Sequence, residues 1–406
     1  MSSRGWIVLG IGLHLAFQLA PAWKKVSSTP SGRDFASYYY ATQAAADGAD
    51  PYDTAALSKA ARNDHTRRVV NPYFYPPPFL YSVAWSLPMT LPSATIVMLG
   101  LNEALLAGCL ALMHFSFGVA PWALALLLAT YTPIPDNAWM GQANLLALFP
   151  ALAGLALARR PVISGVLVGI AGMFKMSPAL YLLWFALRRN VRAFAVAGLT
   201  AIALTLLSLP LVGPDAQVRF YTQVLPGFLA GDYHDLTVPI SLPANHSIPD
   251  LYNYLWPGPH PTRLSVTAAW ASRITGLALL GAWAWRFRHQ GEERRALGAL
   301  TVLMVILPAY TYEHHLVFLL PAVGVAASGI RGVGSAVVFG VSYFLLAWPL
   351  EWLRATQGFV GAHGGGVVAE IGLRESKFLA EVGILGLLTV SSDSPSPTTS
   401  ATARSS

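Results

Sequence analysis

The chain of 406 residues contains little charge and a single cysteine. Charged residues make up 11% of it, against roughly a quarter in an ordinary soluble domain, so the chain cannot cover a water-facing surface. Cys109 lies in an apolar run, which excludes an intrachain disulfide and a cysteine-based zinc site. A P-loop and the glycine fingerprint of a Rossmann-type unit are also absent. A soluble nucleotide-binding protein is therefore not expected.

The basic residues do not indicate nucleic-acid binding, although the net charge is +7. They form no stripe on a soluble domain, as contacts with a nucleic-acid backbone would require. Positive charge in short loops marks the cytoplasmic side of a membrane protein. We therefore expect no nucleic acid as a partner and place these loops inside. The basic loops are Arg159–Arg160, Arg188–Arg192, Arg286–Arg295 and Arg331.

Apolar sequence dominates the chain, with 54% hydrophobic residues and a mean hydropathy of +0.51. Several apolar runs are shorter than the roughly 20 residues of a complete helical span, which predicts some broken or re-entrant helices. We predict one all-α, polytopic transmembrane domain over residues 1–390, with about 11–13 membrane segments, in the plasma (inner) membrane. The runs are Trp6 to Ala22, Pro76 to Leu91, Ser93 to Phe117, Pro121 to Pro133, Gly141 to Ala158, Val162 to Phe174, Pro178 to Leu187, Phe194 to Val212, Ser265 to Trp285, Ala296 to Pro308, Leu316 to Gly329, Gly334 to Leu350 and Phe378 to Val390.

The long polar segments fall on the side opposite the basic loops. They are residues 23–75, 213–264 and 354–376, and we predict that they form three extracytoplasmic loops with interfacial helices. The tail, residues 391–406, is rich in Ser, Thr and Pro and lacks apolar periodicity. It cannot bury enough surface to offset its ordering entropy. We therefore predict a disordered cytoplasmic tail.

The number of crossings constrains which runs span the membrane. Six apolar runs separate the first outer loop from the inner cluster at Arg188, whereas an odd number of crossings is needed. We predict that Pro76 to Leu91 does not span, because it is short and contains four prolines. The alternative is one broken helix over Val162 to Leu187, which would place Arg159 and Arg160 outside.

The first outer loop contains two predicted helices. Asp34 precedes an Ala-rich stretch and is typical of a helix N-cap, while Gly48 is typical of the end of that helix. A second, polar helix is predicted over Asp53 to Asn63. Aromatic rings concentrate in this loop, and we expect them at the level of the lipid headgroups. These aromatic residues are Phe35, Tyr38, Tyr39 and Tyr52.

Short motifs along nearly the whole chain occur in the order found in one family. They resemble the polyprenol-phosphate-mannose-dependent mannosyltransferases of bacterial envelopes, which are integral membrane enzymes of GT-C architecture. The family often has Gln at the position of His246. The motifs are Arg33-Asp34-Phe35 with the following tyrosines, Gly48 to Asp53, Tyr75-Pro76-Pro77, Gly141-Gln142-Ala143-Asn144, Lys175-Met176-Ser177-Pro178, Asn245-His246-Ser247 and Glu313-His314-His315.

The resemblance implies an inverting, metal-independent transfer of a hexose from a polyprenyl-phosphate sugar to a hydroxyl of an envelope glycolipid or glycan. It implies an active site on the extracytoplasmic face, Asp34 as the general base, no cofactor, and membrane lipids as partners. A lipid monophosphate carries less charge than a nucleotide diphosphate, so a divalent metal is not obligatory. The acid pairs Asp50/Asp53 and Asp232/Asp235 could imitate a metal site, but aspartates in turns are the commoner explanation.

Two interpretations are open for each of four candidate residues with ionisable side chains. Asp34 is either the base or only a helix cap. Lys175, in an otherwise apolar stretch, either contacts phosphate or sugar or extends to the interface. One of His314 and His315 is expected to hold the phosphate, whereas the other can simply pack.

The remaining candidates are polar groups of the predicted substrate-binding set. Amides at Gln142 and Asn144 can bond sugar hydroxyls or satisfy helix ends. In the second outer loop, an acceptor contact and a turn amide are the two interpretations for Asn245. Tyr38 shares a helix face with the base and either orients it or anchors the helix. The set is completed by Arg33, Tyr75, His246 and Glu313.

Two other functions explain the apolar runs. A transporter or flippase of a lipid-linked envelope precursor would also need many spans, but we find no internal symmetry of paired halves. A ligase or polymerase of lipid-linked glycans would share the acidic outer loop. The donor distinguishes a transferase from a ligase, since a transferase uses one sugar on a monophosphate and a ligase an oligosaccharide diphosphate.

Overall fold

The computed structural model describes residues 1–28, 33–232, 238–289, 291–362 and 366–390. Regular structure in these ranges is helical, with a single isolated antiparallel bridge between Asn245 and Tyr312. The all-α prediction is confirmed. The predicted disordered tail lies outside the described residues.

Eight α-helices lie in the described residues between 3 and 156. Ser2 caps the first by accepting a hydrogen bond from the Gly5 amide at 3.2 Å, and Asp53 caps the fourth by accepting one from the Ala56 amide at 3.0 Å. The helices are α1 (Ser3–His14), α2 (Ala20–Ser28), α3 (Phe35–Ala46), α4 (Thr54–Asn63), α5 (Leu91–Phe115), α6 (Pro121–Thr130), α7 (Pro133–Met140) and α8 (Asn144–Ala156).

Six α-helices lie in the described residues between 161 and 286, and one of them contains an internal kink. Gly213 interrupts the long α11 with a φ of 76°, in the left-handed region that favours glycine. The helices are α9 (Pro161–Phe174), α10 (Leu182–Leu187), α11 (Val191–Arg219), α12 (Leu225–Ala230), α13 (Ile248–Leu255) and α14 (Val266–Arg286).

The last third of the described chain contains six α-helices. A 3₁₀ helix, Glu313–Leu319, precedes α16 and carries the double-histidine motif. The helices are α15 (Glu293–Ile306), α16 (Leu320–Ser328), α17 (Gly332–Ala347), α18 (Leu350–Ala362), α19 (Gly366–Arg374) and α20 (Ser376–Thr389).

Several helices have the length and composition of membrane segments. Within the described residues, three helical stretches are long and apolar enough to span: Ser3–Ser28, Leu91–Phe115 and Val191–Ala230. Two further candidates are pairs bent at a break, α7 with α8 by 120° and α17 with α18 by 96°. The polytopic membrane fold and the expected broken helices agree with these features. The count of 11–13 segments stays a prediction.

The proline-rich run from Pro76 to Leu91 forms only short 3₁₀ helices, Pro77–Ser82 and Ala84–Ser86. Six residues of 3₁₀ helix rise about 12 Å, well under the roughly 30 Å of a bilayer core. This geometry agrees with the prediction that the run does not span. Trp85 and Met89 of this run instead contact Phe35 and Tyr39 of α3.

The aromatic residues of the first outer loop are buried in protein and do not face lipid headgroups, while their depth in the membrane stays a prediction. Phe35, Tyr38, Tyr39 and Tyr52 are between 0% and 4% exposed. The Phe35 ring stacks on Trp85 with centroids 6.0 Å apart. The hydroxyl of Tyr39 donates to the Met89 carbonyl at 2.7 Å, so burial leaves this polar group satisfied. These rings form a core that holds α3 and α4.

Candidate active site

A polar cavity of about 620 Å³ lies between the first outer loop, the break between α7 and α8, and the 3₁₀ helix Glu313–Leu319. Gly141 creates the break by ending α7 in the left-handed region, with a φ of 68°. This turn brings the next residue, Gln142, to the cavity wall. The predicted site residues that line it are Arg33, Asp34, Tyr38, Tyr75, Gln142, Glu313, His314 and His315.

The carboxylate of Asp34 is directed away from the helix that follows it. Asp34 is at the N-cap position of α3, yet its side chain accepts no hydrogen bond from that helix. Instead, Oδ1 accepts from Asn71 Nδ2 at 2.5 Å and Oδ2 accepts from Gln142 Nε2 at 2.6 Å. Both oxygens are therefore oriented by amides in the cavity wall. The cap interpretation explains the position of the residue but not that of its carboxylate.

Burial controls the protonation of this carboxylate. Asp34 is 9% exposed, and removal from water raises its pKa above the usual value for aspartate. The amides of Gln142 and Asn71 oppose this shift because they stabilise the charged form, as do the cations of Arg33 and Lys175. The result is a carboxyl group with a raised pKa, which is a property of general bases that work near neutral pH.

Gln142 connects the base to the rest of the cavity. Its Oε1 accepts hydrogen bonds from the hydroxyls of Tyr38, at 2.9 Å, and Tyr75, at 3.2 Å. Its Nε2, which donates to Asp34, also lies 3.1 Å from Nε2 of His314. An amide nitrogen can only donate, so this ring nitrogen of His314 accepts and the imidazole is neutral with its proton on Nδ1. The three aromatic side chains are thus held around the base through one amide.

Lys175 ends inside the protein instead of extending to an interface. The residue is 8% exposed, and Nζ donates to Oδ1 of Asn144. Asn144 in turn donates from Nδ2 to the His314 carbonyl at 2.8 Å and to Oδ1 of Asn137 at 3.0 Å. A buried ammonium with one amide partner retains donor capacity for a further anion. This geometry disfavours the interface interpretation of Lys175 and gives Asn144 an internal role.

An apolar cavity of about 530 Å³ adjoins the polar one. Lys175 is the charged residue in its wall, and leucines of the segment 180–183 with Met304 and Val305 supply apolar surface. Nζ of Lys175 lies 5.6 Å from the ring centroids of both Tyr75 and Phe318. The residues that line both cavities are Phe74, Tyr75, Phe228, Tyr310 and His315.

The two motif residues of the second outer loop have structural partners. The side chain of Asn245 donates to the carbonyls of Ile240 and Ala309, at 3.0 and 2.9 Å, and accepts from the Thr311 amide at 2.9 Å. Its amide therefore fixes the backbone next to the 3₁₀ helix. Neither Asn245 nor His246 is among the residues described as lining the two cavities.

His246 donates from Nε2 to Oε2 of Glu313 at 3.0 Å. Burial lowers the pKa of His246, because the charged form loses its hydration, although the adjacent Glu313 opposes the shift. A glutamine amide offers the same N–H donor as the neutral Nε2–H tautomer. The family's usual Gln and the histidine of this chain can therefore make the same hydrogen bond.

The acid pairs that could imitate a metal site have other partners. Asp50 pairs with Arg219, Asp53 caps α4, and Asp232 forms an ion pair with Arg263 at 2.8 Å. Asp235 lies outside the described residues. Among the residues that are described, no group of three or more His, Cys, Asp or Glu side chains is arranged to hold a metal ion.

Two site residues were missed by the sequence analysis. Asn71 holds the carboxylate of Asp34, and Lys377 of α20 pairs with Glu313. Lys377 directly precedes an apolar run, and an ionisable group at a membrane segment is a signal that could have found it. Asn71 carries no comparable signal, because an Asn before Pro is typical of an ordinary turn.

Comparison with known proteins gives consistent matches. The chain is 25% identical over 377 residues to a "Polyprenol-phosphate-mannose-dependent alpha-(1-2)-phosphatidylinositol mannoside mannosyltransferase" of Mycobacterium tuberculosis (strain ATCC 25618 / H37Rv), covering 86% of this chain and 82% of that protein. It is 24% identical over 342 residues to a protein of the same name from Mycolicibacterium smegmatis (strain ATCC 700084 / mc(2)155), with coverage of 78% and 74%.

Residues 73–310 match the family described as "Glycosyltransferase family 87". This segment contains Gln142, Lys175 and His246 but not Asp34 or the double-histidine motif. The structure brings residues from inside and outside the matched segment together in one cavity. Because the match covers more than half of the chain, the protein belongs to glycosyltransferase family 87 and is an integral membrane glycosyltransferase.

Proposed function

We propose that the protein transfers mannose from a polyprenyl-phosphate mannose to a hydroxyl of a phosphatidylinositol mannoside or a related envelope glycolipid. The observation that carries this proposal is the buried carboxylate of Asp34 in a polar cavity that adjoins an apolar one. The names of the two mycobacterial relatives support the donor and the acceptor. The motif resemblance supports the same chemistry.

The donor is amphiphilic and fits the pair of cavities. Its prenyl chain would occupy the apolar cavity between the leucines of the segment 180–183 and Met304, where van der Waals packing against these side chains would hold it in exchange for lipid chains. Its phosphate would lie near Nζ of Lys175, and His315 lines both cavities beside it. The mannose would then extend into the polar cavity toward Asp34. A monophosphate that meets a buried cation needs no divalent metal to leave.

The transfer would proceed by inversion with Asp34 as the general base. The carboxylate takes the proton of the acceptor hydroxyl while that oxygen attacks the anomeric carbon from the face opposite the phosphate. The bond between the anomeric carbon and the phosphate oxygen breaks, and its electron pair stays on the phosphate. Gln142 and Asn71 keep the base oriented, since each donates to one of its oxygens.

The candidate residues divide into two groups in this proposal. Arg33, Tyr38, Tyr75, Gln142, Lys175, His314 and His315 line a cavity and contact substrate. The others act by holding these residues in place: Asn144 through Lys175, Asn245 through the backbone at Thr311, and His246 through Glu313. The positive charge of the short basic loops supports a site on the extracytoplasmic face of the plasma membrane.

The test compares wild type with Asp34→Asn in nanodiscs, using radiolabelled polyprenyl-phosphate mannose, phosphatidylinositol mannoside acceptors and EDTA. Release of polyprenyl phosphate and labelling of the acceptor are measured. We expect wild type to turn over in EDTA and Asp34→Asn to lose about 10²–10⁴-fold, the usual contribution of a general base. The amide is nearly isosteric, so the fold should be retained.

Asp53→Asn is the matched control. It changes another aspartate of the same loop, and Asn is as good an N-cap as Asp, so full activity is expected. An active Asp34→Asn enzyme would remove Asp34 from the role of base. If wild type consumes no donor with any acceptor, the transferase proposal fails and lipid translocation becomes the reaction to measure.

A further inference from the structure

A buried lysine from the last described helix contacts the candidate site. Lys377 is the second residue of α20 and is 0% exposed. Its Nζ donates to Oε1 of Glu313 and to the carbonyl of Leu346, at the end of α17, at 3.1 Å. This lysine lies beyond the segment matched by the family, which ends at residue 310. No role follows for it from the matched segment.

Glu313 is held from two sides. One carboxylate oxygen pairs with Lys377, and the other accepts from Nε2 of His246 at 3.0 Å. The backbone just before it is fixed as well, because the His246 amide donates to the Thr311 carbonyl at 2.8 Å and Asn245 bridges to Tyr312. Contacts from α20 and from the second outer loop therefore hold the start of the 3₁₀ helix in place.

The two residues that follow Glu313 connect it to the candidate site. The carbonyl of His314 accepts from Asn144, and its ring meets Gln142, which donates to Asp34. The next residue, His315, lines both cavities. Because Glu313, His314 and His315 lie in one helical turn, a shift of Glu313 would also shift the two histidines. A misplacement of a catalytic group by about 1 Å can lower the rate a hundredfold.

We propose that Lys377 is a positioning residue, which acts through Glu313 to hold His314 and His315 against the sugar and the phosphate. The inference rests on the proposed transfer reaction. Lys377 supplies what an uncharged residue cannot, because Glu313 is 6% exposed and would otherwise be a buried carboxylate with only a neutral histidine beside it. Removing one partner of a buried ion pair leaves the other charge uncompensated.

The experiment uses the full-length protein in nanodiscs and four variants: Lys377→Met, Lys377→Arg, Glu313→Gln and the double variant Lys377→Met/Glu313→Gln. Lys59→Met, which changes an exposed lysine on α4, is the control. Donor turnover gives kcat and KM. Hydrogen–deuterium exchange of the segment 311–319 and the melting temperature report on structure.

We expect Lys377→Met to lower kcat about a hundredfold with KM changed less than about threefold, because the histidines act in the transition state. Exchange at 311–319 should be faster than in wild type. Lys377→Arg should recover most of kcat, since it restores the cation. The double variant removes both charges and should melt like wild type, yet its kcat should stay low because the connection to α20 is lost.

Three outcomes would overturn the inference. A wild-type kcat in Lys377→Met excludes the role directly. Recovery of full kcat in the double variant would show that the single variant suffered only from an unpaired buried charge. A wild type that turns over no mannosyl donor would remove the proposed function and this role with it, whereas the first two outcomes leave the proposed function standing.

Discussion

The two adjoining cavities differ in how the chain builds them. The polar cavity is formed where helices end or break: the start of α3, the turn at Gly141 and the 3₁₀ helix Glu313–Leu319. The apolar cavity is formed largely by apolar side chains of helical segments such as α15 and the segment 177–187, with Lys175 in its wall. Broken helices expose backbone and polar side chains inside a membrane protein, and continuous ones do not. This difference supports the proposed division, with the transfer reaction in the first cavity and the prenyl chain of the donor in the second.

The largest effect should come from removing the cation of Lys175, in the wall of the apolar cavity. Lys175→Met leaves an apolar side chain of similar length where the phosphate would lie, so we expect kcat/KM to fall by about 10²–10³-fold, as when one group that stabilises developing charge is lost. Steady-state assays with polyprenyl-phosphate mannose measure this, with the exposed Lys59→Met as control. A loss of kcat/KM below about threefold would contradict a contact between Lys175 and the donor phosphate.

A smaller effect should come from filling the apolar cavity. Leu180 lines it, and Leu180→Trp should displace part of the prenyl chain and raise KM for a long-chain donor about tenfold, equivalent to 1.4 kcal/mol. A donor with a short prenyl chain should be unaffected. Leu207→Trp, on the exposed face of α11, is the control. An equal rise in KM for both donors would contradict the assignment of this cavity to the lipid.

The smallest effect should appear as a shift of the pH profile. Asn71 donates to Asp34 and opposes the burial that raises the Asp34 pKa. Asn71→Ala should therefore raise that pKa further, so the base is protonated at a higher pH and the acid limb of kcat/KM moves to higher pH. The plateau of kcat/KM at high pH should fall less than about tenfold, because the loss of one hydrogen bond costs about 1 kcal/mol. Asn63→Ala, at the exposed end of α4, should leave the limb in place; a shift to lower pH in Asn71→Ala would contradict the proposed base.

Much of the fold could be predicted from the sequence. The apolar runs predict a helical membrane protein, and the prolines between Pro76 and Leu91 predict the short segment that the structure shows as 3₁₀ helices. Burial of the loop aromatics could not be predicted. A tyrosine such as Tyr39 or Tyr52 suits the lipid headgroup region and a protein core equally well, because both environments combine apolar contacts with polar groups. The sequence therefore does not distinguish the two positions.

Residues of the candidate site could be predicted where they belong to a motif of the family resemblance. Asp34, Gln142 and His314 come from three motifs, and the structure connects them in one chain of hydrogen bonds. The partners Asn71 and Lys377 were not predictable, because a contact between residues far apart in sequence depends on how the helices pack. Sequence periodicity identifies the face of a helix but not the helix that will cover it.

The position of Lys377 also has a consequence for how the enzyme is made. Asp34 emerges from the ribosome long before α20, yet the structure connects them through Glu313, His314 and Gln142. On the proposed role of Lys377, the 3₁₀ helix Glu313–Leu319 is held in place only once α20 packs beside α17. A chain truncated before α20 would keep the segment that matches the family and is expected to transfer no sugar.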